Sequence, residues 1–553
     1  MTSERINLGN GVFKVTVSVP RVRQSGAGCF VCAPTTIPVH SPAAALSIVW
    51  RASLFGHGFS SSCLSWWSSS LLFTFSLCQG LKYILEMILH SAVLTNSWSA
   101  RAQRPIFSIF VRRCFTSAEL SPSVNPPKVS HIDGDSNDFL SWLEHKAGTK
   151  ISSALAIGNS SHGRTLYAAE DIQSGDCILK IPFNVLLSSD NLPPEINSLF
   201  GDEISSVAKQ ALLILHEKWL GKNSEWAPYI NCLPRDLHNT VFWSDEELDM
   251  IRPSALYRET LRQKAQIEKD FSAVKLAFHN ISYQFPYVMP REFAYAYGLV
   301  TSRAWVGLRG VSMIPFADFL NHSCNSESYV LSDESQQHSV VIADRDFALG
   351  DEVLINYGNF SNASLLLDFG FTVCGNKYDQ AQIELTVPQS DVLYEKKLEL
   401  LERHQTPSVK DINEFTSLGN AFTFRKVKND SLKGKGIPQS ARAFSRILAC
   451  HSQEELNELA LVAEENDGRL ARCPLKDKNR EIAAHRHLFT EISRLIEEYD
   501  KRIEFLAYAP MCTCGKSATR RQLARELLSG ESCVLKSAAV WLENYCLALS
   551  MNR

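Results

Sequence analysis

Acidic residues are almost missing from the first part of this chain. Before position 119 only Glu4 and Glu86 carry negative charge, against ten Lys or Arg. The balance then reverses, with 46 basic and 57 acidic residues over the remainder. A main body that acidic lacks the phosphate-neutralising surface of a nucleic-acid binder, so no nucleic-acid partner is expected. Patterned cysteines are missing too. Of fifteen cysteines, only Cys29 with Cys32 and Cys512 with Cys514 lie close together. Neither pair has a second pair or a histidine pair at zinc spacing, so no metal is expected. Scattered cysteines in a long chain fit a reducing compartment. The apolar stretch 64–78 holds five serines in fifteen positions and is too short to span a membrane. A P-loop and a Gly-x-Ser-x-Gly elbow are absent. Gly434-Lys435-Gly436 sits in a polar loop, without the strand–turn–helix context of a Rossmann-type site.

The length of 553 residues implies about three domains. Residues 87–136 begin with an acid-free text in which Arg101, Arg104, Arg112 and Arg113 interleave with apolar and hydroxyl residues. That is the composition of an organelle transit peptide, for chloroplast or mitochondrion. A disordered basic tail on a cytoplasmic protein is the alternative. Since such a peptide belongs at an N-terminus, Met87 reads as a start and residues 1–86 as an upstream extension. A linker rich in proline (Pro122, Pro126, Pro127) follows.

Residues 137–192 open with a short helix around Phe139, Leu140 and Leu143, capped by Asn137 or Asp138. Strands then follow at 163–169 and 177–181. Between them lies the turn Asp171-Ile172-Gln173-Ser174-Gly175-Asp176. The turn Asp346-Phe347-Ala348-Leu349-Gly350-Asp351 repeats it. In each, Gly supplies a positive φ and the first Asp is expected to bond the turn backbone. The two copies imply two similar β-units in one domain. Residues 193–300 carry helical periodicity, with an N-cap and acidic first turn at Ser244-Asp245-Glu246-Glu247. The β text returns over 301–375, with strands at 340–343 and 352–356. Residues 376–553 read as helical, at 480–506, 519–528 and 534–549.

Within 314–370 three groups carry chemistry: Asp318-Phe319-Leu320-Asn321-His322, the second Gly-Asp turn, and Ile355-Asn356-Tyr357-Gly358. With these, the chain from about Phe139 to Cys546 resembles the family of the plant Rubisco large-subunit lysine methyltransferase and the related actin-histidine methyltransferase. The resemblance implies an α+β architecture. A β-rich SET domain is split by the helical insert and followed by an all-α substrate-binding domain. Gly163-Arg164-Thr165-Leu166 is similar to the family's opening Gly-x-Gly-Leu, with Thr165 in place of the second Gly. Asp176 and Ile178 match a segment that contacts S-adenosylmethionine. Ser302-Arg303-Ala304-Trp305 resembles a motif whose Arg faces the cofactor carboxylate. Asp318, Asn321 and His322 match the cofactor-binding Asp-x-x-Asn-His, and Tyr357 the catalytic tyrosine. Phe369 stands where the family often has Tyr. Arg303, Trp305, Tyr357 and Phe369 would meet the substrate side chain.

The implied activity is methyl transfer from S-adenosylmethionine to a lysine of a non-histone protein, by a monomer. A histidine-directed enzyme and a catalytically inactive SET-like interaction protein are the alternatives. The chemistry fits these residue types. An in-line displacement needs alignment above all. A lysine amine, with a pKa of about 10.4, costs about 3 kcal/mol to deprotonate near pH 8. An apolar channel of aromatic walls favours the neutral amine and tolerates a methylammonium product.

Overall fold

The computed structural model describes residues 13–17, 35–39 and 134–551, with short breaks, the widest at 280–287, 405–412 and 509–514. The transit and linker segment up to residue 133, the apolar stretch 64–78 and both close cysteine pairs lie outside the described residues. So does the upstream extension, apart from two strands. The chain divides into two units, Met1–Ser91 and Ala92–Arg553. In the first, β1 (Phe13–Val17) pairs antiparallel with β2 (Thr35–Val39). Among the described residues no helix is long and apolar enough to cross a membrane.

The second unit opens with α1 (Gly134–Ala147). It starts at Gly134, so Asn137 and Asp138 lie inside it and are not its cap. Phe139 and Leu143, one turn apart, are both buried in the core below. Four strands follow: β3 (Leu155–Ser160), β4 (Gly163–Ala168), β5 (Cys177–Pro182) and β6 (Leu187–Ser188). The helical insert contributes α2 (Ser206–Leu220), α3 (Ala255–His279) and α4 (Pro290–Arg303). Then come β7 (Ala304–Gly307), β8 (Gly310–Met313), β9 (Asn321–His322), β10 (Val330–Asp333), β11 (His338–Ile342) and β12 (Leu354–Ile355).

The pairing reunites what the insert separates. β5 lies against β11, which continues to β10, and β6 lies against β8, which continues to β7. β3 pairs with β4, and β9 runs parallel to β12. One core holds Leu166 and Ile178 from the first block, Leu213 and Val300 from the insert, and Phe319 and Ile355 from the second block.

The repeated Gly-Asp turns meet face to face. Ile172 and Phe347 exchange both backbone hydrogen bonds at 2.9 Å. The first Asp of each turn accepts from the other turn: Leu349 N–H donates to Asp171 Oδ1, and Ser174 N–H to Asp346 Oδ1. The last Asp closes its own turn, Asp176 accepting from Gln173 N–H and Asp351 from Ala348 N–H. Gly175 and Gly350 take φ of 96° and 89°. The first Asp therefore clamps the two turns together, a correction to the expectation that it bonds the backbone of its own turn. A carboxylate accepting a backbone N–H from a second segment adds a tertiary link that one turn alone does not predict.

The C-terminal region begins after α5 (Asn362–Asp368). It carries β13 (Gln380–Glu384), α6 (Tyr394–Arg403), β14 (Ala421–Arg425), α7 (Gln439–Leu448), α8 (Gln453–Glu465), α9 (Lys478–Tyr508) and α10 (Gly515–Met551). It is helical but not all-α, because β13 pairs with β14. The signal was the alternation of buried Ala381 and Ile383, and of Phe422 and Phe424, with more exposed neighbours. The helices expected at 519–528 and 534–549 are one helix, α10. It runs through Gly530, where an added Cβ would clash with Asp379 Oδ2. The glycine makes room for a neighbour; it does not end the helix.

Next to it Glu531 is buried, within reach of Ser254 Oγ at 2.9 Å and the Tyr499 hydroxyl at 2.7 Å. It thus joins insert and C-terminal helices. Burial pushes its pKa up from 4.5 to about 8. The unfolded chain therefore releases this proton first, and stability falls as pH rises from 4.5 towards 8. Glu531→Gln should flatten that slope. Urea unfolding should show it more stable than wild type by about 4 kcal/mol near pH 8, with a difference below about 1 kcal/mol near pH 5. Parallel pH profiles for both proteins would contradict the assignment.

Candidate active site

The site grows from a two-residue parallel ladder. Phe316, buried at φ 76°, turns the chain into the short turn Ala317–Phe319. β9 then runs beside β12, with Asn321 opposite Leu354 and His322 opposite Ile355. Two residues beyond β12, Tyr357 comes back over the histidine, the ring centres 5.1 Å apart. Its backbone N–H donates to His322 Nδ1 at 3.1 Å. That bond requires an unprotonated Nδ1, so the ring is the neutral Nε2–H tautomer, with Nε2 3.4 Å from Cys324 Sγ. Burial pushes the His322 pKa down to about 4. The Tyr357 hydroxyl donates to Leu320 O at 2.6 Å. Burial pushes its pKa up to about 12, only partly offset by Arg303. At neutral pH it is a phenol that can orient a partner, not a phenolate base.

Aromatic rings close around it. Phe369, at the end of α5, lies 5.1 Å from the Tyr357 ring centre and Phe371 lies 6.3 Å away. Phe360 backs Phe369 at 5.6 Å. The turn between Phe369 and Phe371 needs Gly370, at φ 80°, whose Cβ position is 2.8 Å from Asn239 N. Asn239 in turn donates from Nδ2 to Leu367 O and Asp368 O, capping α5 from the insert.

Arg303 is the last residue of α4. Its Nη1 donates to Asp318 O at 2.7 Å and to Asp318 Oδ2 at 3.3 Å. Its Nε is buried with no hydrogen-bond partner. The Asp318 side chain is fully buried. It also accepts from the Tyr229 hydroxyl at 3.0 Å. Burial raises the Asp318 pKa and Arg303 pulls it back. The carboxylate therefore holds the guanidinium in place. Asn321 Nδ2 donates to Glu352 Oε1 at 3.3 Å, and Thr165 Oγ1 donates to the same oxygen at 2.6 Å. Thr165 is fully buried.

Arg303 with Asp318, Asn321 with Glu352, and His322 with Tyr357 and Phe369 thus form three contact groups, and the charges of Arg303 and Asp318 reach Tyr357. Trp305, on β7, is half-buried against the core and has no ring contact with the Tyr357 cluster among the described residues. The Asp176 carboxylate closes its own turn, and the Ile178 side chain is core, its carbonyl accepting from Ser152 Oγ at 2.7 Å. Tyr229 and Glu352 were not among the expected site residues, and no local pattern marks them, since each acts through a partner far along the chain. Phe371 lies in the segment whose Phe369 was expected at the site, and it joins the same ring cluster.

The His322 acceptor can be tested directly. His322→Leu leaves the Tyr357 N–H unsatisfied, whereas His322→Asn offers an oxygen near the place of Nδ1. In urea unfolding the leucine variant should lose about 1–3 kcal/mol more than the asparagine variant. Equal losses would remove the hydrogen bond from the account. In wild type the unfolded ring protonates first, so this residue's share of stability is present above pH 6.5 and lost as pH falls towards 4.

Comparison with known proteins agrees with this geometry. The SET domain model matches residues 163–358, and the Rubisco LSMT substrate-binding model matches residues 388–535. The chain is 26% identical, over 76% of its length and 82% of the relative's, to the chloroplastic ribulose-1,5 bisphosphate carboxylase/oxygenase large subunit N-methyltransferase of Nicotiana tabacum. It is 25% identical, over 74% of its length and 83% of the relative's, to the chloroplastic [fructose-bisphosphate aldolase]-lysine N-methyltransferase of Arabidopsis thaliana. It is 26% identical, over 58% of its length and 53% of the relative's, to the actin-histidine N-methyltransferase of Rattus norvegicus. A solved structure of Rubisco LSMT bound to AdoMet shares the fold, with a TM-score of 0.58, 20% identity, and coverage of 76% of this chain and 94% of that one. The chain belongs to the SET-domain protein methyltransferases that carry a Rubisco LSMT substrate-binding domain.

Proposed function

We propose that this protein methylates a lysine side chain of a non-histone protein in a chloroplast or mitochondrion, using S-adenosylmethionine. One observation carries the reading: the Tyr357 phenol, ringed by Phe369 and Phe371, lies within electrostatic reach of Arg303, whose buried Nε lacks a partner. An orphaned buried guanidinium N–H fits a carboxylate, and S-adenosylmethionine has one. The residues therefore fit the cofactor. When bound, it supplies a methyl group on a sulfonium centre.

The chain's own groups do the rest. Arg303 binds the carboxylate, its direction set by Asp318. Asn321 and His322 take the adenosine side, partly through backbone groups, and Asp176 and Ile178 are carried as contacts on position in the chain alone. Arg303, Trp305, Tyr357 and Phe369 face the substrate. The aromatic walls exclude water, which favours the neutral amine. The Tyr357 hydroxyl orients the amine lone pair along the transfer axis. The protein acts as a monomer, and its helical C-terminal region meets the protein substrate. The chloroplastic relatives support an organelle address. The histidine-directed relative keeps histidine as the second reading for the acceptor.

The test uses methyl-labelled S-adenosylmethionine and an organelle extract. Wild type should label a protein band, and mass spectrometry should find methyl-lysine in it. Tyr357→Phe should lower transfer at least about 100-fold while equilibrium dialysis shows cofactor affinity within about twofold of wild type. Methyl-histidine in the band would overturn the lysine assignment. Cofactor binding without transfer to any protein would favour a non-catalytic interaction protein. Phe369→Tyr adds a hydroxyl beside the acceptor, and should shift the product from higher methylation states towards monomethyl-lysine. A wild-type product already limited to monomethyl-lysine would contradict that role.

A further inference from the structure

Tyr229 lies in the insert, within the helical turn Ala227–Cys232, and is fully buried. It is 89 residues from Asp318 in sequence, yet its hydroxyl donates to Asp318 Oδ2 at 3.0 Å. The same oxygen takes Arg303 Nη1 at 3.3 Å, while the Asp318 carbonyl takes Nη1 at 2.7 Å. The other carboxylate oxygen, Oδ1, is buried and has no partner. A buried carboxylate keeps its ionised form only when enough donors face it. Here the side-chain donors are one guanidinium and one phenol.

The phenol therefore has a task that packing does not explain. Its ring would pack against Phe139, at a centroid distance of 6.4 Å, whether or not it carried an oxygen. Among the described residues the oxygen bonds only Asp318. Asp318 in turn anchors Nη1, so that the unpartnered Nε is the part of the guanidinium left for another group. A guanidinium held at one nitrogen by two acceptors presents its remaining N–H groups in a set direction.

We propose that Tyr229 is a positioning residue of the cofactor site, acting through Asp318 to aim Arg303 at the carboxylate of the amino-acid end of the cofactor. This rests on the methyltransferase reading above. It assigns the helical insert a part in cofactor recognition. It also makes the contribution specific to one end of the ligand. The adenosine end is served by other groups and does not depend on this oxygen.

That specificity decides the experiment. Full-length wild type and Tyr229→Phe are titrated with two probes. S-adenosylhomocysteine carries the carboxylate, and 5′-methylthioadenosine lacks the amino-acid end. In the variant, S-adenosylhomocysteine should bind about tenfold more weakly and methylthioadenosine within about twofold of wild type. The KM for S-adenosylmethionine should rise by a similar factor, with kcat at saturation unchanged within about twofold. Asp318→Asn should show the same selective loss, and adding it to Tyr229→Phe should cost little more. Equal weakening of both probes would mean a general structural defect and overturn the proposal. So would unchanged binding of both. If wild type binds neither probe, the methyltransferase reading itself falls, and the proposal with it.

Discussion

A parallel ladder of only two residue pairs, Asn321 with Leu354 and His322 with Ile355, shapes the candidate site of this protein. It brings Tyr357 back over His322 and lets a backbone N–H lock the imidazole as a neutral acceptor. The Tyr357 hydroxyl is tied to Leu320 O by the same folding back of the chain. So short a ladder has little stability of its own. It is held from outside by the core around Phe319 and Ile355 and by the pairing of 350–353 with β4. The clasp of the two Gly-Asp turns adds to that frame, each first Asp serving the opposite turn.

The helical insert is a structural partner of the β region more than an interruption of it. It sends Tyr229 to the Asp318 carboxylate, Asn239 to the C-terminal end of α5, and Ser254 to Glu531 on α10. These contacts reach the Arg303 anchor, the base of the Phe369 and Phe371 pair, and the C-terminal helices. A change at Tyr229, Asn239 or Ser254 can therefore be felt at the site although these residues act only through others. The price is a set of buried polar groups, each tolerable only because a partner from another segment meets it.

The site combines a fixed polar anchor and an apolar slot. The partly buried Arg303 and the buried Asp318 and Tyr229 form the anchor, and ionic contacts of this kind are strong only when their geometry is held rigidly. The slot is made of rings whose contacts are weakly directional. That division suits a transfer in which one partner must be aligned and the other kept dry.

The sequence by itself determined the ordering of the chain: a β-rich block, a helical block, a second β-rich block and a helical end. Periodicity and glycine-marked turns are local properties, so they survive without coordinates. Asp318, Asn321, His322 and Tyr357 were legible because they sit close together in a short stretch with a recognisable spacing. The β13–β14 ladder was readable in principle from its alternating apolar and polar residues, but a helical neighbourhood obscured it. What only the tertiary structure decided was the partnership of distant residues. Glu352 joins Thr165 to Asn321, Tyr229 meets Asp318 across 89 positions, and Gly530 continues a helix to make room for Asp379. Hydrogen bonds and steric fit act over a few ångströms of space, and separation along the chain carries no trace of that distance.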